Sequence, residues 1–442
     1  MNVASAASQA LVGCGALIIA AQAGAALPIE SWRTPAGAKV LFVEAHQLPI
    51  LDVAVDFPAG SSRDPAGKPG LANLTLQLTR MGAGQMDENE ISRRFADVGA
   101  QLSQRFDVDR AGFSLRTLSS PAEMTQALDV FAAVVQAPTF PAAVLEREKA
   151  RIAAALREAQ TRPANVVEKT FLRLAYGTHP YGQLGAGEPE TVAAITREDV
   201  VGFRQAYYSS DHAVVAIIGD VTREQAQRIS ARLTVELPRA DRPLPSLPPV
   251  AHPQEPASET IAFPATQAYL RVGMPGMARG DPDYFPLWLG NHILGGSGFS
   301  SRLMIELREK RALAYGPYSY FAPFALAGPF ALAAQTKKGQ SAQALAVMRE
   351  TLEKFVRDGP GEEELAAAKQ NVIGGFALRI DSNSKILEYL STIGFYSLPL
   401  DYIDTFPQRI AAVTREQVRD AFRRRIDPSR MVTVVVGPDP QP

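Results

Sequence analysis

Hydrophobic and polar positions follow two different periods along this chain. Short apolar runs rich in β-branched residues are typical of strands, whereas longer stretches with an apolar residue every three or four positions are typical of amphipathic helices. Predicted strands include residues 39–44, 51–57, 260–263 and 269–274, and predicted helices include 141–160 and 362–380. Strands grouped with several helices, rather than strictly alternating with them, favour an α+β fold.

One segment of the chain occurs twice. Residues 193–219 align without a gap on residues 411–437. In each copy a threonine, Thr196 or Thr414, stands at the N-cap of a predicted helix. Acidic residues follow in the first turn, where their negative charge interacts favourably with the positive end of the helix dipole. A short apolar run that predicts a buried strand ends each copy. The repeat therefore predicts two similar halves.

A proline-rich segment separates these halves. Prolines recur through residues 238–257, where they exclude a helix or a central strand because each lacks an amide hydrogen. We therefore predict a first domain at 28–237, a linker at 238–257 and a second domain at 258–442. The length of 442 residues also exceeds what one hydrophobic core normally supports.

Charge argues against polyanionic partners. The chain has 45 Lys and Arg against 46 Asp and Glu, a formal net charge of -1, so it lacks the positive field that nucleic acid or an anionic membrane would attract. No nucleic-acid partner is expected.

The first 26 residues resemble a secretory signal peptide. An apolar run of about ten residues, shorter than the roughly 20 that span a bilayer, precedes small residues with an A-x-A-like pattern. This predicts export to the periplasm and no membrane span. The only cysteine, Cys14, ends a short lipoprotein-like box, but apolar sequence continues beyond it, so an incidental cysteine in a cleaved signal is favoured over a lipid anchor.

Residues 294–320, LGGSGFSSRLMIELREKRALAYGPYSY, contain the most specific candidate chemistry. They resemble the carboxyl-terminal signature of the M16 (pitrilysin/insulinase-like) zinc peptidases, in which an arginine and a tyrosine seven residues later help to hold the substrate backbone. Here those positions are Arg308 and Tyr315. Both side chains can donate hydrogen bonds where negative charge develops on a carbonyl oxygen. The simpler alternative is a helix-end salt bridge for Arg308 and an ordinary strand aromatic for Tyr315.

A glycine-rich loop precedes this pair. It consists of Gly295, Gly296, Ser297 and Gly298, and it predicts either a flexible contact with peptide or a partner subunit, or simply the start of a helix. It lacks the Gly-Lys-Ser/Thr ending of a phosphate loop.

The zinc half of an M16 active site is missing. Such a site needs H-x-x-E-H on a helix, so that both imidazoles share a face and the acid reaches the metal-bound water, with a further glutamate from a later helix. Residues 57–72 resemble the lead-in to this motif, but residues 73–77 read NLTLQ. The five histidines include no pair four residues apart: His46, His179, His212, His252 and His292.

The later zinc ligand of the family should fall near Ala154 or Ala155, where no carboxylate stands. Glu148 and Glu158 flank this gap and are interpreted as solvated helix charges. Residues 179–182, HPYG, resemble a family turn for which a structural role is favoured over a functional histidine. No cofactor is therefore expected in this chain.

The resemblance implies two homologous M16-type (LuxS/MPP-like) domains, each a largely antiparallel sheet packed with helices. It also implies a periplasmic subunit that is inactive alone and positions peptides or unfolded polypeptide for a partner subunit with H-x-x-E-H and zinc. The alternative is a catalytically silent scaffold or assembly protein. An autonomous serine or cysteine hydrolase is disfavoured, because no nucleophile motif occurs.

Overall fold

The computed structural model of the chain describes residues 27–437. The strands of the first half are β1 (Glu30–Arg33), β2 (Lys39–Glu44), β3 (Ile50–Phe57), β4 (Gly82–Ala83), β5 (Met86–Asp87), β6 (Gln101–Phe106), β7 (Ala111–Leu118) and β8 (Val214–Gly219). The helices are α1 (Leu71–Thr79), α2 (Glu88–Asp97), α3 (Pro121–Gln136), α4 (Ala142–Gln160), α5 (Pro163–Tyr176), α6 (Pro189–Ala193), α7 (Arg197–Tyr207) and α8 (Arg223–Thr234). The main sheet has the order β1-β2-β8-β3-β7-β6, and β4 and β5 form a separate pair.

The second half repeats this plan with fewer strands. Its strands are β9 (Ala257–Ile261), β10 (Gln267–Pro275), β11 (Tyr318–Phe321), β12 (Pro329–Lys337) and β13 (Val432–Val436). Its helices are α9 (Tyr284–Asn291), α10 (Ser341–Asp358), α11 (Glu362–Gly374), α12 (Asn383–Phe395), α13 (Tyr402–Ala412) and α14 (Arg415–Arg425). These strands form one sheet in the order β11-β12-β10-β13-β9.

The two sheets share one strand order. The series β2-β8-β3-β7-β6 in the first corresponds to β9-β13-β10-β12-β11 in the second, and in each only the first pair of the series is parallel. The repeated segment forms α7 with β8 and α14 with β13. Thr196 and Thr414 cap these helices by accepting a hydrogen bond from the backbone N–H three residues later. The predicted α+β fold with two homologous domains is confirmed.

Each half contributes one helix to the other half. Helix α5 packs on β10 and β13 of the second sheet, and α12 packs on β2, β3 and β8 of the first. Phe171 of α5 shares an apolar cluster with Val434, while Leu41 of β2 shares another with Leu390 of α12. Phe42, which follows Leu41 in β2, packs in the separate core of the first half. Because both faces of β2 and β8 are covered, residues 40–43 and 214–219 are continuously apolar.

Charged groups join α12 to the first sheet. The Arg110 side chain, only 8% exposed, donates hydrogen bonds to Ser391 at 3.0 Å and to Glu388 at 3.1 Å. Arg105 donates to Asp56 at 3.0 Å and to Ser391 at 2.8 Å, and the Asp56 side chain has no solvent exposure. The contact between the halves is therefore partly ionic, with Arg110 and Asp56 excluded from water and Glu388 half exposed.

The segment between the halves is extended and docked on the protein surface. Residues 238–256 form neither helix nor strand. Leu247 packs against the cluster that contains α5, and the carbonyls of Pro245 and Pro248 accept hydrogen bonds from Arg63 and His179. The segment is thus held along its length by both apolar and polar contacts.

Two predicted element bounds differ from the structure by three residues or more. Helix α11 ends at Gly374, and a separate turn follows at Phe376–Arg379, so the predicted helix 362–380 is too long. Two consecutive glycines, Gly374 and Gly375, favour this break because glycine lowers helix stability. Strand β9 begins at Ala257, three residues before the predicted start.

None of the helices between residues 27 and 437 combines the length and the apolar character needed to cross a bilayer. The predicted signal peptide at residues 1–26 and its Cys14 lie outside the described residues.

His46 lies between two carboxylates and provides a testable pH dependence. Its Nδ1 is 2.6 Å from Asp220 and its Nε2 is 2.7 Å from Glu44, and these hydrogen bonds raise the pKa of His46 above its ordinary value of 6.5. The resulting stabilisation is complete below pH 6.5 and is lost as the pH rises through the raised pKa. We expect an NMR titration to give His46 a higher pKa than His212, whose pKa is lowered by burial.

In the same experiment, His46→Gln is expected to remove this part of the pH dependence of unfolding. A His46 pKa at or below that of His212 would contradict the expectation.

Candidate substrate-positioning site

Two π-helical segments frame the Arg308 region. Helix α9 continues directly into the first, His292–Gly296, and the second, Met304–Glu309, carries Arg308. A π-helical turn contains one residue more than an α-helical turn, and such turns are frequent at functional sites. Their presence on both sides of one loop marks this surface as specialised.

Arg308 lies between two exposed aromatic rings. Its guanidinium carbon is 4.7 Å from the centre of the Phe299 ring and 4.5 Å from the centre of the Tyr315 ring. Phe299 is 66% exposed and Tyr315 is 80% exposed. Within residues 27–437, the Arg308 side chain forms no ion pair and no hydrogen bond. Its N–H donors are therefore available to a ligand.

These contacts contradict the simpler alternative for the pair. A helix-end salt bridge is absent from Arg308 over residues 27–437, and Tyr315 lies before β11 rather than in a strand. The nearby carboxylate of Glu306 is instead engaged by Lys310 at 2.7 Å and by Arg311 at 2.5 Å. Hydrogen bonds from these two cations, first from Lys310, lower the pKa of Glu306.

The four loop residues divide into one buried and three surface positions. Gly295 is buried against β11, where a Cβ atom would lie 2.4 Å from the backbone nitrogen of Ser319. Gly298 has a φ of 66°, in the left-handed region that glycine tolerates best. Gly296 is exposed, and Ser297 accepts a hydrogen bond from a nearby serine hydroxyl. Gly295 is thus required for packing, whereas the rest can face a ligand.

The outer edges of the two sheets differ. At β11, the Asn291 side chain donates to the carbonyl of Ser319 at 3.2 Å and accepts from its hydroxyl at 2.7 Å, and the first π-helical segment packs along the strand. The corresponding strand β6 pairs only with β7 among the described residues. β6 is therefore the more accessible edge of the two.

Amide side chains occupy the positions where zinc-binding histidines would stand on α1. Gln77 donates a hydrogen bond to Asn73 at 3.1 Å, one helical turn away, and accepts one from Arg151 of α4 at 2.7 Å. Leu76, at the position of the catalytic carboxylate, is buried. A permanent guanidinium at this place disfavours a divalent cation by charge repulsion.

The interpretation of Glu148 as a solvated charge is wrong. Its side chain is 4% exposed and accepts hydrogen bonds from Arg151 at 2.6 Å and from Arg147 at 3.2 Å. The carboxylate is buried because α4 packs against α1, and two arginines of its own helix neutralise it there. Glu158 is exposed and pairs with Arg162, as a solvated charge would.

No group of three His, Cys, Asp or Glu side chains that could hold a metal ion occurs in the described part of the chain. Ala154 and Ala155 are both exposed on α4. His179 has a structural role, since its Nδ1 accepts the backbone N–H of Tyr181 at 3.0 Å and its Nε2 lies 2.9 Å from the carbonyl of Pro248. Its two ring nitrogens are therefore already used.

Two family models match the chain. "Insulinase (Peptidase family M16)" matches residues 39–187, and "Peptidase M16 inactive domain" matches residues 194–372. A crystal structure of a peptidase M16 inactive domain from Pseudomonas fluorescens is 36% identical, with a TM-score of 0.89, and the match covers 93% of this chain and 99% of that one. The chain belongs to the M16 peptidase family.

Other relatives of the chain include both a protein named as a protease and one named as a non-peptidase. An uncharacterized zinc protease from Streptomyces coelicolor is 29% identical over 61% of this chain and 59% of its own length. A non-peptidase homolog, YmxG, from Helicobacter pylori is 24% identical over 59% of this chain and 60% of its own. The chain therefore spans about three fifths of the length of these curated relatives. The periplasmic protease PqqL from Escherichia coli shares the fold, with 18% identity, a TM-score of 0.77 and coverage of 93% of this chain and 45% of that one.

Phe299 is the residue of this candidate site that the sequence analysis did not identify. One feature of the sequence could have identified it: Phe299 is a large aromatic residue directly after a glycine-rich loop, a place where no buried core is expected. Phe299 precedes Arg308 in the sequence and Tyr315 follows it. Only the fold shows that both rings lie against the Arg308 guanidinium.

Proposed function

We propose that this chain is the non-catalytic, substrate-positioning subunit of a heteromeric M16 zinc peptidase of the periplasm. One contrast supports the proposal. Arg308 stays unpaired on the surface between two exposed rings, while the zinc position is filled by amides and an Arg–Glu pair. Such a chain keeps substrate contacts but lacks the metal.

The proposed division of labour follows from the donors that each chain supplies. The partner subunit would carry H-x-x-E-H and the zinc ion, which activates water for attack on the peptide carbonyl. Arg308 and Tyr315 would donate hydrogen bonds to the substrate carbonyl as negative charge develops on its oxygen. The loop residues Gly296, Ser297 and Gly298 would contact the peptide or the partner.

An extended peptide also needs backbone partners. The free edge of β6 offers unpaired N–H and C=O groups to which an unfolded segment can add as a further strand. Gln104 of β6 already donates a hydrogen bond to the carbonyl of Leu76 in α1, so this edge lies beside the former zinc position. Substrate is therefore proposed to be unfolded polypeptide rather than a folded protein.

The alternative is a scaffold without a role in proteolysis, and the name of the non-peptidase homolog from Helicobacter pylori makes it worth testing. A scaffold would need neither a free guanidinium nor exposed rings around it. Substitution at Arg308 separates the two functions, because a scaffold would tolerate it.

Co-purification with a zinc-binding partner tests the proposal. The chain is expressed with its natural amino terminus, isolated from the periplasmic fraction, and analysed for bound proteins, zinc content and peptide hydrolysis. We expect an M16 subunit with intact H-x-x-E-H to accompany it, with about one zinc per pair. After separation, this chain is expected to bind no zinc and to cleave nothing. Stoichiometric zinc and peptide cleavage by this chain alone would overturn the proposal.

A further inference from the structure

Leu27, three residues before β1, lies against the second half of the fold. Its backbone nitrogen donates a hydrogen bond to Oδ1 of Asp404 in α13 at 3.1 Å, although 377 residues separate the two in the chain. The Leu27 side chain is partly buried against the apolar cluster that contains Leu41 and Leu390. Leu27 is therefore held both by its nitrogen and by its side chain.

The Asp404 carboxylate has no cationic partner in the described part of the chain. It lies in the first turn of α13, is only partly exposed, and forms no ion pair within residues 27–437. By contrast, Asp281 and Asp283 before α9 both pair with Arg425. The helix dipole favours an acidic residue in a first turn, but it does not require the carboxylate to face a backbone nitrogen of a distant segment.

The nitrogen that faces Asp404 gains a charge if the chain is cut directly before Leu27. Inside a chain this nitrogen is an amide with one N–H and no charge. As a free α-amino group, whose ordinary pKa is about 7.7 to 8.0, it carries a positive charge and three N–H donors at neutral pH. A charge-assisted hydrogen bond is about twice as strong as one between neutral groups. An amine at Leu27 would therefore match the Asp404 carboxylate better than the amide does.

The sequence before Leu27 offers several bonds to a peptidase that removes a signal peptide. Residues 21–26 read AQAGAA, and the bonds that follow residues 23, 25 and 26 each come after a small-x-small pattern. The sequence does not choose among these three bonds. Only a cut after Ala26 places the new amine on the nitrogen that faces Asp404.

We propose that the bond between Ala26 and Leu27 is the processing site of the exported chain, and that the α-amino group released on Leu27 forms an ion pair with Asp404. A signal peptidase hydrolyses this bond with one water molecule. The C–N bond breaks, the water oxygen joins the new Ala26 carboxylate, and both water hydrogens end on the Leu27 nitrogen. The processing site rests on the proposed function only in that the chain must be exported.

Intact mass and amino-terminal sequencing of the chain isolated from the periplasm test the processing site. We expect Leu27 as the first residue. A periplasmic chain that begins at Gly24 or Ala26, or a lipidated chain that begins at Cys14, would overturn the processing site and leave the proposed function standing. An uncut chain that stays in the cytoplasm would contradict both.

Titration of the amine tests the ion pair. The amine of the processed chain is dimethylated with ¹³C-formaldehyde, which keeps its positive charge, and its pKa is measured by NMR. We expect a pKa above about 8.0, and a value about 1 pH unit lower in Asp404→Asn, because a nearby carboxylate favours the charged amine. Asp401→Asn is the matched control, since it removes the N-cap carboxylate of the same helix and should leave the amine pKa unchanged. A pKa of 8.0 or below in the unmodified chain would overturn the ion pair, as would equal values in the unmodified chain and Asp404→Asn.

Discussion

Arg308→Ala is expected to lower kcat/KM of the reconstituted two-chain peptidase by about 100-fold to 1,000-fold, the loss that follows removal of one donor to a developing oxyanion. The guanidinium is free of ion pairs over residues 27–437, so its donors are not already committed to the fold. Tyr315→Phe keeps the aromatic face against Arg308 but removes the hydroxyl, and a smaller loss of about tenfold is expected. Peptide hydrolysis by equal amounts of purified complex measures both.

Assembly must be followed in the same samples. Arg308→Ala should co-purify with the partner in normal amounts, because its side chain makes no described contact that stabilises the fold beyond two exposed rings. Arg311→Ala is the control, since its side chain pairs with Glu306 and does not stack on either ring. Activity of Arg308→Ala within about twofold of the unmodified complex would instead support a scaffold.

Arg110→Met is expected to reduce the free energy of unfolding by about 3 to 5 kcal/mol, as removal of one partner from a buried ionic group does. Arg110 donates to Asp107 at 2.8 Å and, across the contact between the halves, to Ser391 and Glu388. Without it, Glu388 and the solvent-inaccessible Asp56 would keep only Arg105 as a cationic partner, and Asp107 would lose its ion pair. Urea unfolding at neutral pH measures the loss.

Arg116→Met provides a matched comparison for the Arg110 variant. Arg116 also lies on the β7 side of this contact, pairing with Asp52 at 2.8 Å and donating to Ser384 of α12 at 2.7 Å. Its own side chain is 36% exposed, but Asp52 is only 4% exposed, so water can replace only part of what Arg116 provides. A loss of about 2 kcal/mol, smaller than that of Arg110→Met, is expected. Equal losses in the two variants would show that burial does not set the strength of these contacts.

Much of the fold was predictable because the chain repeats itself. The capped helices at Thr196 and Thr414 and the apolar strands that follow them appear as predicted. The exchange of α5 and α12 between the halves was not predictable. An amphipathic helix shows that one face is buried, but its sequence does not say which sheet will cover that face.

The site was predictable only in part. The spacing of Arg308 and Tyr315 within a long matching segment identified the pair, and the absence of suitably spaced histidines excluded an H-x-x-E-H site. Glu148 was wrongly predicted to be exposed to solvent, because a charged residue among other polar residues of a helix is normally exposed. Its burial depends on Arg151 lying beside Gln77 of a helix about 70 residues earlier in the chain, which local sequence does not show.

Because α5 and α12 each pack on the sheet of the other half, the proline-rich segment does not join two independent domains. A linker between independent domains could be lengthened, cut or lost while each domain kept its own core. Here a division of the chain near residue 238 would leave the first sheet without α12 and the second without α5, each with a row of apolar side chains turned toward water. The two duplicated units are therefore no longer separable modules. An ancestral single unit would have had to form this pair with a second copy of itself.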